Sequence, residues 1–67
     1  MYGHITRINR DRGYGFLRDE LGESRFFHTA GVLNTEIQEM HPGQSVIFEP
    51  SMAERGPIAR NVLALDC

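Results

Sequence analysis

The chain has 67 residues, enough for one hydrophobic core but too few to divide its apolar side chains between two. Hydrophobic residues make up 40% of it, and no apolar run approaches the roughly 18 residues that a membrane-spanning helix requires. The N-terminus lacks the basic and apolar regions of a secretory signal, so we expect a cytoplasmic protein. The single cysteine, Cys67, excludes an internal disulfide and argues against a thiolate metal cluster.

The net charge of −2 argues at first against a nucleic-acid ligand, because neutralised phosphates normally supply much of the affinity. The charges are unevenly distributed, however. Residues 1–30 contain five arginines against four carboxylates, and the rest of the chain contains two arginines against five carboxylates. All seven basic residues are arginines, whose planar guanidinium can hold a phosphate through two hydrogen bonds and can stack on a base. The first half is therefore the better candidate for contact with an anion.

Glycines and prolines divide the chain into short segments, a spacing typical of an all-β sandwich or barrel. The predicted strands cover residues 3–10, 13–19, 24–28, 44–49 and 58–65. Residues 32–40 have apolar side chains near helical spacing, but Gly31 and Pro42 limit a helix there to about two turns. We expect a loop with one helical turn. Residues 63–65 are compatible with a final helix, and we favour a closing strand because Asn61 and Val62 precede them.

Two aromatic pairs, each with a spacing of two residues, stand out in the predicted strands. Tyr14 and Phe16 project from one face of the second strand, and Phe26 and His28 from one face of the third. Such pairs more often belong to a core, but glycines flank Tyr14, and glycine weakens the interior of a strand. We therefore predict an exposed surface with four flat rings. It suits single-stranded nucleic acid, because stacking contributes about 1 to 3 kcal/mol per base whatever the sequence.

Four blocks of the sequence follow one another in the order found in a known family. Residues 12–17, Arg-Gly-Tyr-Gly-Phe-Leu, are similar to a ribonucleoprotein-type motif, Lys-Gly-Phe-Gly-Phe-Ile, and residues 26–28, Phe-Phe-His, to a second one, Phe-Val-His-Phe. Residues 43–49 resemble the fourth strand of that family, and residues 55–62 its Gly-Pro-x-Ala-x-Asn-Val ending. Gly3 and Asn9 fit the start of the pattern. The chain thus resembles the cold shock domain family, without a gap from Gly3 onward.

The resemblance implies an all-β fold, a five-stranded antiparallel Greek-key barrel of the OB type over residues 1–67, either alone or as the N-terminal domain of a longer protein. It implies single-stranded RNA or DNA as the partner and a role as an RNA chaperone or as a regulator of transcription or translation, with no catalysis, cofactor or metal, and we expect a monomer. The implied core residues are Ile5, Leu17, Phe27, Val46, Phe48 and Val62. The implied nucleic-acid-binding residues are Arg7, Ile8, Arg12, Tyr14, Phe16, Phe26, His28, Thr29, Ile37 and Arg55.

The sequence departs from the family pattern at several of these positions. Residues 6–8 are Thr-Arg-Ile where the family usually has Lys-Trp-Phe, and Thr29 and Ile37 stand where aromatic residues are common. Arg7 can partly compensate by laying its guanidinium on a base, a contact of about 0.5 to 2 kcal/mol, and Ile8 and Ile37 still offer apolar contact. We expect the binding mode to be retained and the affinity to be lower than that of a fully aromatic member.

Three further arginines carry separate expectations. Arg25 falls where the family places an inward-facing apolar residue, so we expect it either to extend to the rim of the barrel or to pair with a carboxylate such as Glu23 or Glu49. Arg10 and Arg60 are expected to be surface charges that can also contact phosphate.

Two other classes of function stay open. The rings would serve a protein partner equally well, since aromatic residues are enriched at interfaces; this alternative is a protein-interaction module on a cold shock scaffold. A metal site would require the scattered His4, His28 and His41 to converge, and His4 and His28 could do so across neighbouring strands. No motif around these histidines indicates an enzyme.

Overall fold

The computed structural model describes residues 1–65, in which five strands close into a barrel. The strands are β1 (Tyr2–Asn9), β2 (Tyr14–Asp19), β3 (Ser24–His28), β4 (Ser45–Ala53) and β5 (Gly56–Ala64). They follow one another around the barrel in the order β1-β2-β3-β5-β4, and β1 pairs with β4 to close it. The predicted five-stranded barrel is confirmed. Its pairs are antiparallel except at the β3–β5 junction, which is parallel.

The last two strands form a longer hairpin than the sequence predicted. The expected fourth strand ended at residue 49, whereas β4 continues through Pro50 to Ala53, and β5 begins at Gly56 rather than at residue 58. Pro50 is accommodated because it is exposed and follows a register shift between Ile47 and Glu49, where the ladder is already irregular. The hairpin therefore projects further than a strand ending at residue 49 would allow.

The long connection between β3 and β4 contains two short 3₁₀ turns, Thr29–Gly31 and Ile37–Glu39. This agrees with the predicted loop with a single helical turn at residues 32–40, and the predicted closing strand is confirmed up to Ala64. No helix within residues 1–65 is long and apolar enough to cross a membrane. The expectations for Cys67 lie outside the described residues.

The interior of the barrel contains all six residues predicted to form the core. Ile5, Leu17, Phe27, Val46, Phe48 and Val62 are each at most 4% exposed, and Ile37, Met40 and Ala59 join the same cluster. The expectation that Ile37 offers a surface contact is wrong, because it is only 3% exposed. The β3–β4 connection turns Ile37 and Met40 inward, where burial of their apolar surface stabilises the fold.

Gly15 is required by close packing inside the barrel. A Cβ atom at this position would lie 2.6 Å from the carbonyl oxygen of Arg7 and 2.8 Å from Cζ of Phe27. The Phe27 ring thus occupies the space that a side chain at position 15 would fill. This explains why a strand with two aromatic residues on its outer face has glycine on its inner face.

Asp19 and Arg25 form an ion pair at the end of the β2–β3 hairpin. Arg25 Nε donates to Asp19 Oδ2 at 2.9 Å, and the two side chains are 12% and 0% exposed respectively. Arg25 pairs with a carboxylate as expected, but its partner is Asp19 rather than Glu23 or Glu49. Asp19 and Arg25 lie two residues from the inward-facing Leu17 and Phe27 respectively, and the strand register brings the two groups together.

The hydrogen bond from Arg25 lowers the pKa of Asp19 below its usual value. Burial of the carboxyl opposes this shift, and the backbone N–H groups of Glu23 and Leu21 add to it, each donating to Oδ1 at 2.9 Å. The carboxylate therefore stays charged at neutral pH and fixes the turn between β2 and β3.

Candidate nucleic-acid interface

Four ring side chains project from the outer face of β2 and β3. Tyr14 is paired with His28, and Phe16 with Phe26, in the antiparallel register of the two strands. The ring centroids of Tyr14 and Phe26 are 5.5 Å apart, those of Phe16 and Phe26 5.7 Å, and those of Tyr14 and Phe16 6.1 Å. The aromatic rings contact one another at edges and tilted faces, which limits their movement. We call these four residues the aromatic platform.

Hydrogen bonds orient two of the four rings. Asn9 Nδ2 donates to Tyr14 Oη at 3.2 Å, so the Tyr14 hydroxyl hydrogen can point to a ligand. The backbone N–H of Ala30 donates to His28 Nδ1 at 3.1 Å, which requires Nδ1 to be unprotonated and leaves Nε2–H as the available donor. The platform thus offers two polar groups as well as stacking faces.

A groove runs along one side of the platform, between the rings and the β4–β5 hairpin. Its walls are formed by all four platform residues and by hairpin residues 53–61. We call it the hairpin groove. Arg55 and Arg60 are exposed on its hairpin side, where Glu54 lines the same wall and Glu49 is paired with Arg60 across β4 and β5. Pro57 and Ile58 give the same wall an apolar surface.

A second, smaller cleft lies on the opposite side of Tyr14 and Phe16, and residues 7–11 form its other wall. We call it the β1 cleft. β1 changes register between Ile5 and Arg7, and the shift pairs Arg7 with Phe16, on the outer face. Arg7 is exposed there, at the position where the family usually has tryptophan. Arg10 also lines the cleft, but its Nη2 donates to the carbonyl of Met40 at 2.6 Å, so part of its guanidinium is already occupied.

Most of the arginines form no close ion pair with a carboxylate of residues 1–65. Within residues 1–65, the Arg25–Asp19 pair is the only side-chain ion pair within 4 Å. The other six arginines form no ion pair within 4 Å with a carboxylate of this part of the chain. A net charge of −2 consequently does not describe the local surface, where cations flank the platform on both sides.

The remaining predicted site residues lie at the edges or outside the two grooves. Ile8 is half-buried and packs against the core, so it offers the β1 cleft less apolar surface than the sequence suggested. Thr29 lies against the turn at Gly13, where its N–H donates to the Gly13 carbonyl at 2.8 Å. Arg12 is exposed in the β1–β2 turn, beyond the residues that line either groove. Ile37, as described above, is buried.

The sequence reasoning missed most of the hairpin wall. It selected Arg55 and mentioned Arg60, but it did not place Pro57, Ile58 or Asn61 in the site. Asn61 has a φ of 49° and its Nδ2 donates to Glu49 Oε1 at 2.7 Å, which fixes the irregular part of β5. The glycine-proline pair at residues 56–57 could have indicated that the hairpin extends this far, because it marks the start of a tightly paired strand.

The three histidines do not converge. β1 and β3 lie on opposite sides of β2, and His4 pairs with Arg18 at one end of β2 while His28 pairs with Tyr14 at the other. No group of three or more histidine, cysteine, aspartate or glutamate side chains within residues 1–65 is arranged to hold a metal ion. The expectation that His4 and His28 approach each other is wrong.

A small closed barrel with aromatic rings on two adjacent strands and arginines on both sides defines an OB-type protein that binds single-stranded nucleic acid. Residues 1–65 match the model of the family described as the 'Cold-shock' DNA-binding domain. The chain belongs to this cold shock domain family, as its sequence motifs predicted.

Several bacterial proteins are similar to this chain over most of their length. Cold shock protein 1 of Lactiplantibacillus plantarum is 34% identical over 61 residues, which cover 91% of this chain and 92% of the relative. Cold shock protein CspB of Geobacillus stearothermophilus is 35% identical over 94% of this chain and 96% of its own. Cold shock-like protein CspE of Bacillus anthracis is 33% identical over 94% of each chain.

Proposed function

We propose that this domain binds single-stranded RNA or DNA by stacking bases on the aromatic platform while arginines of the two flanking grooves contact the backbone. The observation behind this proposal is the aromatic platform: four rings lie on adjacent strands, and a groove lined by arginines runs along each side of them. A duplex keeps its bases stacked on one another, so it gains little from such a surface. Single strands expose base faces, and each stacked base contributes about 1 to 3 kcal/mol.

The path of the strand follows from the two grooves. Both include Tyr14 and Phe16, so a strand that enters along Arg7 in the β1 cleft crosses these rings before it reaches the hairpin groove. Four rings accommodate about four bases, at the lower end of the range of about 4 to 16 nucleotides for OB folds. Arg55 and Arg60 are then placed to contact phosphates at the far end. Arg12, beside the platform, is a further candidate for phosphate contact.

The affinity should be lower than that of a family member with a full set of rings. Arg7, Thr29 and Ile37 each replace an aromatic residue of the family pattern, and the burial of Ile37 removes it from the surface altogether. Each missing stacking partner costs about 1 to 3 kcal/mol. Arg7 offsets part of this loss, because a guanidinium stacked on a base contributes about 0.5 to 2 kcal/mol.

A protein partner on the same surface is the less favoured alternative. The family match and the arginines beside the platform both favour a polyanion. The two ligands differ in their response to salt, because binding to phosphates weakens steeply as ionic strength rises and an apolar protein contact does not. Several expectations stay predictions. They are an RNA-chaperone or regulatory role, a cytoplasmic location, a monomeric state, and action as one domain without a cofactor or catalytic step.

The direct test is fluorescence anisotropy of labelled hexanucleotides, RNA and DNA, pyrimidine-rich and purine-rich, with a duplex as a control. We expect saturable binding to single strands that weakens with salt. Phe16→Ala should weaken it about 5- to 150-fold, the equivalent of one lost stacking contact, and the far-ultraviolet circular dichroism should stay native. Leu21→Ala is the matched control, because Leu21 is 80% exposed in the β2–β3 turn, away from the platform. No binding at high micromolar protein, or equal binding of the duplex, would contradict the proposal.

A further inference from the structure

The barrel is joined between β3 and β5 by few backbone contacts. The two strands have a single residue pair, Phe26 with Ile58. The Arg25 side chain adds two hydrogen bonds at the same junction, because its Nη1 donates to the carbonyl of Ser51 at 3.0 Å and to that of Ile58 at 2.9 Å. Ser51 and Ile58 are themselves paired across β4 and β5. Arg25 therefore connects β3 to both strands of the hairpin.

Arg25 is held rigidly on its other side. Its Nε donates to the buried Asp19 carboxylate, whose second oxygen accepts from the backbone N–H groups of Leu21 and Glu23. The guanidinium also lies 6.0 Å from the centroid of the Phe48 ring, within range of a cation–π contact. A continuous set of charge-assisted hydrogen bonds thus runs from the β2–β3 turn to the hairpin carbonyls.

These contacts lie next to the proposed binding surface. Phe26, the residue after Arg25, belongs to the aromatic platform, and Ile58, whose carbonyl accepts from Arg25, lines the hairpin groove. The position of the hairpin relative to the platform sets the width of that groove. Arg25 itself is largely buried and faces the interior, so it is not placed to contact a ligand directly.

We propose that Arg25 is a positioning residue: together with Asp19 it holds the β4–β5 hairpin at a fixed distance from the aromatic platform, and so determines the affinity for strands long enough to reach Arg55 and Arg60. This inference rests on the proposed function. The inference treats the platform and the hairpin groove as two separate parts of the binding site, because the affinity of a short strand that covers only the platform does not depend on the hairpin.

The test compares the full chain with the double variant Asp19→Leu/Arg25→Leu. The double substitution leaves the net charge unchanged, and exchange of a buried ion pair for apolar residues is often neutral for stability. Binding of a trinucleotide and an octanucleotide is measured by anisotropy. Hydrogen exchange in the free protein reports on the backbone amides of residues 52–56 and 58, since Pro57 has no N–H. If the double variant does not fold, Arg25→Lys takes its place, because lysine keeps the charge but cannot bond Asp19 and both carbonyls in the same geometry.

We expect the variant to bind the trinucleotide as the wild type does and the octanucleotide about tenfold more weakly, the effect of one misaligned charge-assisted hydrogen bond. Exchange at the hairpin amides should be faster, and so should exchange at the Leu21 and Glu23 amides, which lose the Asp19 carboxylate as acceptor, with exchange in β1 unchanged. Equal losses for both oligonucleotides, or no loss for either, would overturn the inference. If the wild type binds neither oligonucleotide, the proposed function fails. In that case, hairpin exchange that is the same in the variant and the wild type would separately refute the positioning role.

Discussion

Replacement of Arg7 by tryptophan tests how the platform compensates for its missing ring. Arg7 is exposed and is paired with Phe16 across β1 and β2, and side chains opposite each other in such a pair have Cβ atoms about 4.5 to 5.5 Å apart. A tryptophan at this position would extend the row of rings into the β1 cleft. The substitution therefore exchanges a cation for a stacking surface without moving the backbone.

The two contributions can be set against each other. One more stacked base contributes about 1 to 3 kcal/mol, and the lost guanidinium contact about 0.5 to 2 kcal/mol, so the middle of the range is a gain of about 0.8 kcal/mol, or roughly fourfold in affinity. The salt dependence of the affinity distinguishes the two side chains more clearly than the affinity at one salt concentration. The charge of Arg7 in the β1 cleft also neutralises one phosphate, and each phosphate neutralised on a single strand makes the fall of log affinity with log salt steeper by about 0.7. The affinity of Arg7→Trp should therefore rise about fivefold relative to that of the wild type for each tenfold rise in salt.

Anisotropy titrations of an octanucleotide at 50, 150 and 500 mM salt, with ~0.7 as the expected change in slope, measure both effects. Arg7→Gln is the matched control: it should show the same reduced slope without the gain from stacking. A ratio of affinities that stays constant with salt would refute the assignment of Arg7 to a phosphate. A tryptophan variant that binds more weakly at every salt concentration would show that the guanidinium is the better partner for a base.

Two further predictions concern the scaffold. Gly15→Ala should lower the free energy of unfolding by about 1 to 3 kcal/mol, as overpacking does, because its Cβ would lie 2.8 Å from the Phe27 ring. Gly31→Ala is the control: its Cβ would meet nothing within 4 Å, so it should leave the thermal melt unchanged. The lowered pKa of Asp19 means that its ion pair with Arg25 stabilises the fold above the ordinary aspartate value of about 3.9 and is lost as pH falls through the folded-state pKa. Urea unfolding should therefore show wild type more stable than Asp19→Asn at pH 7 and a difference that narrows below about pH 4. A difference that does not narrow as the pH falls below that value would contradict the assignment.

The features predicted correctly from the sequence are those encoded by nearby residues. Alternation with a period of two placed Tyr14 and Phe16 on one face of β2, and Leu17 on the other, before any pairing was known. All six core residues that the family resemblance implied are also buried. The family motifs then supplied the order of the strands, which local patterns do not contain.

The errors share a different cause. Ile37 lies in the β3–β4 connection, where no alternation indicates which side chains turn inward, and burial depends on how that connection packs against the barrel. The partner of Arg25 is neither of the two carboxylates named from the sequence, Glu23 and Glu49, because the β2–β3 register decides which carboxylate the guanidinium reaches.

By itself, the sequence determined five short strands with aromatic rings on the second and third, because side-chain alternation and turn residues act over a few positions. The closed barrel was implied by the family resemblance. Only the tertiary structure decided that the hairpin of β4 and β5 forms one wall of the site, and that Arg25 holds this hairpin through Ser51 and Ile58. These contacts join residues 26 and 33 positions apart. Their geometry depends on barrel closure and strand register, which arise only when the whole chain is folded.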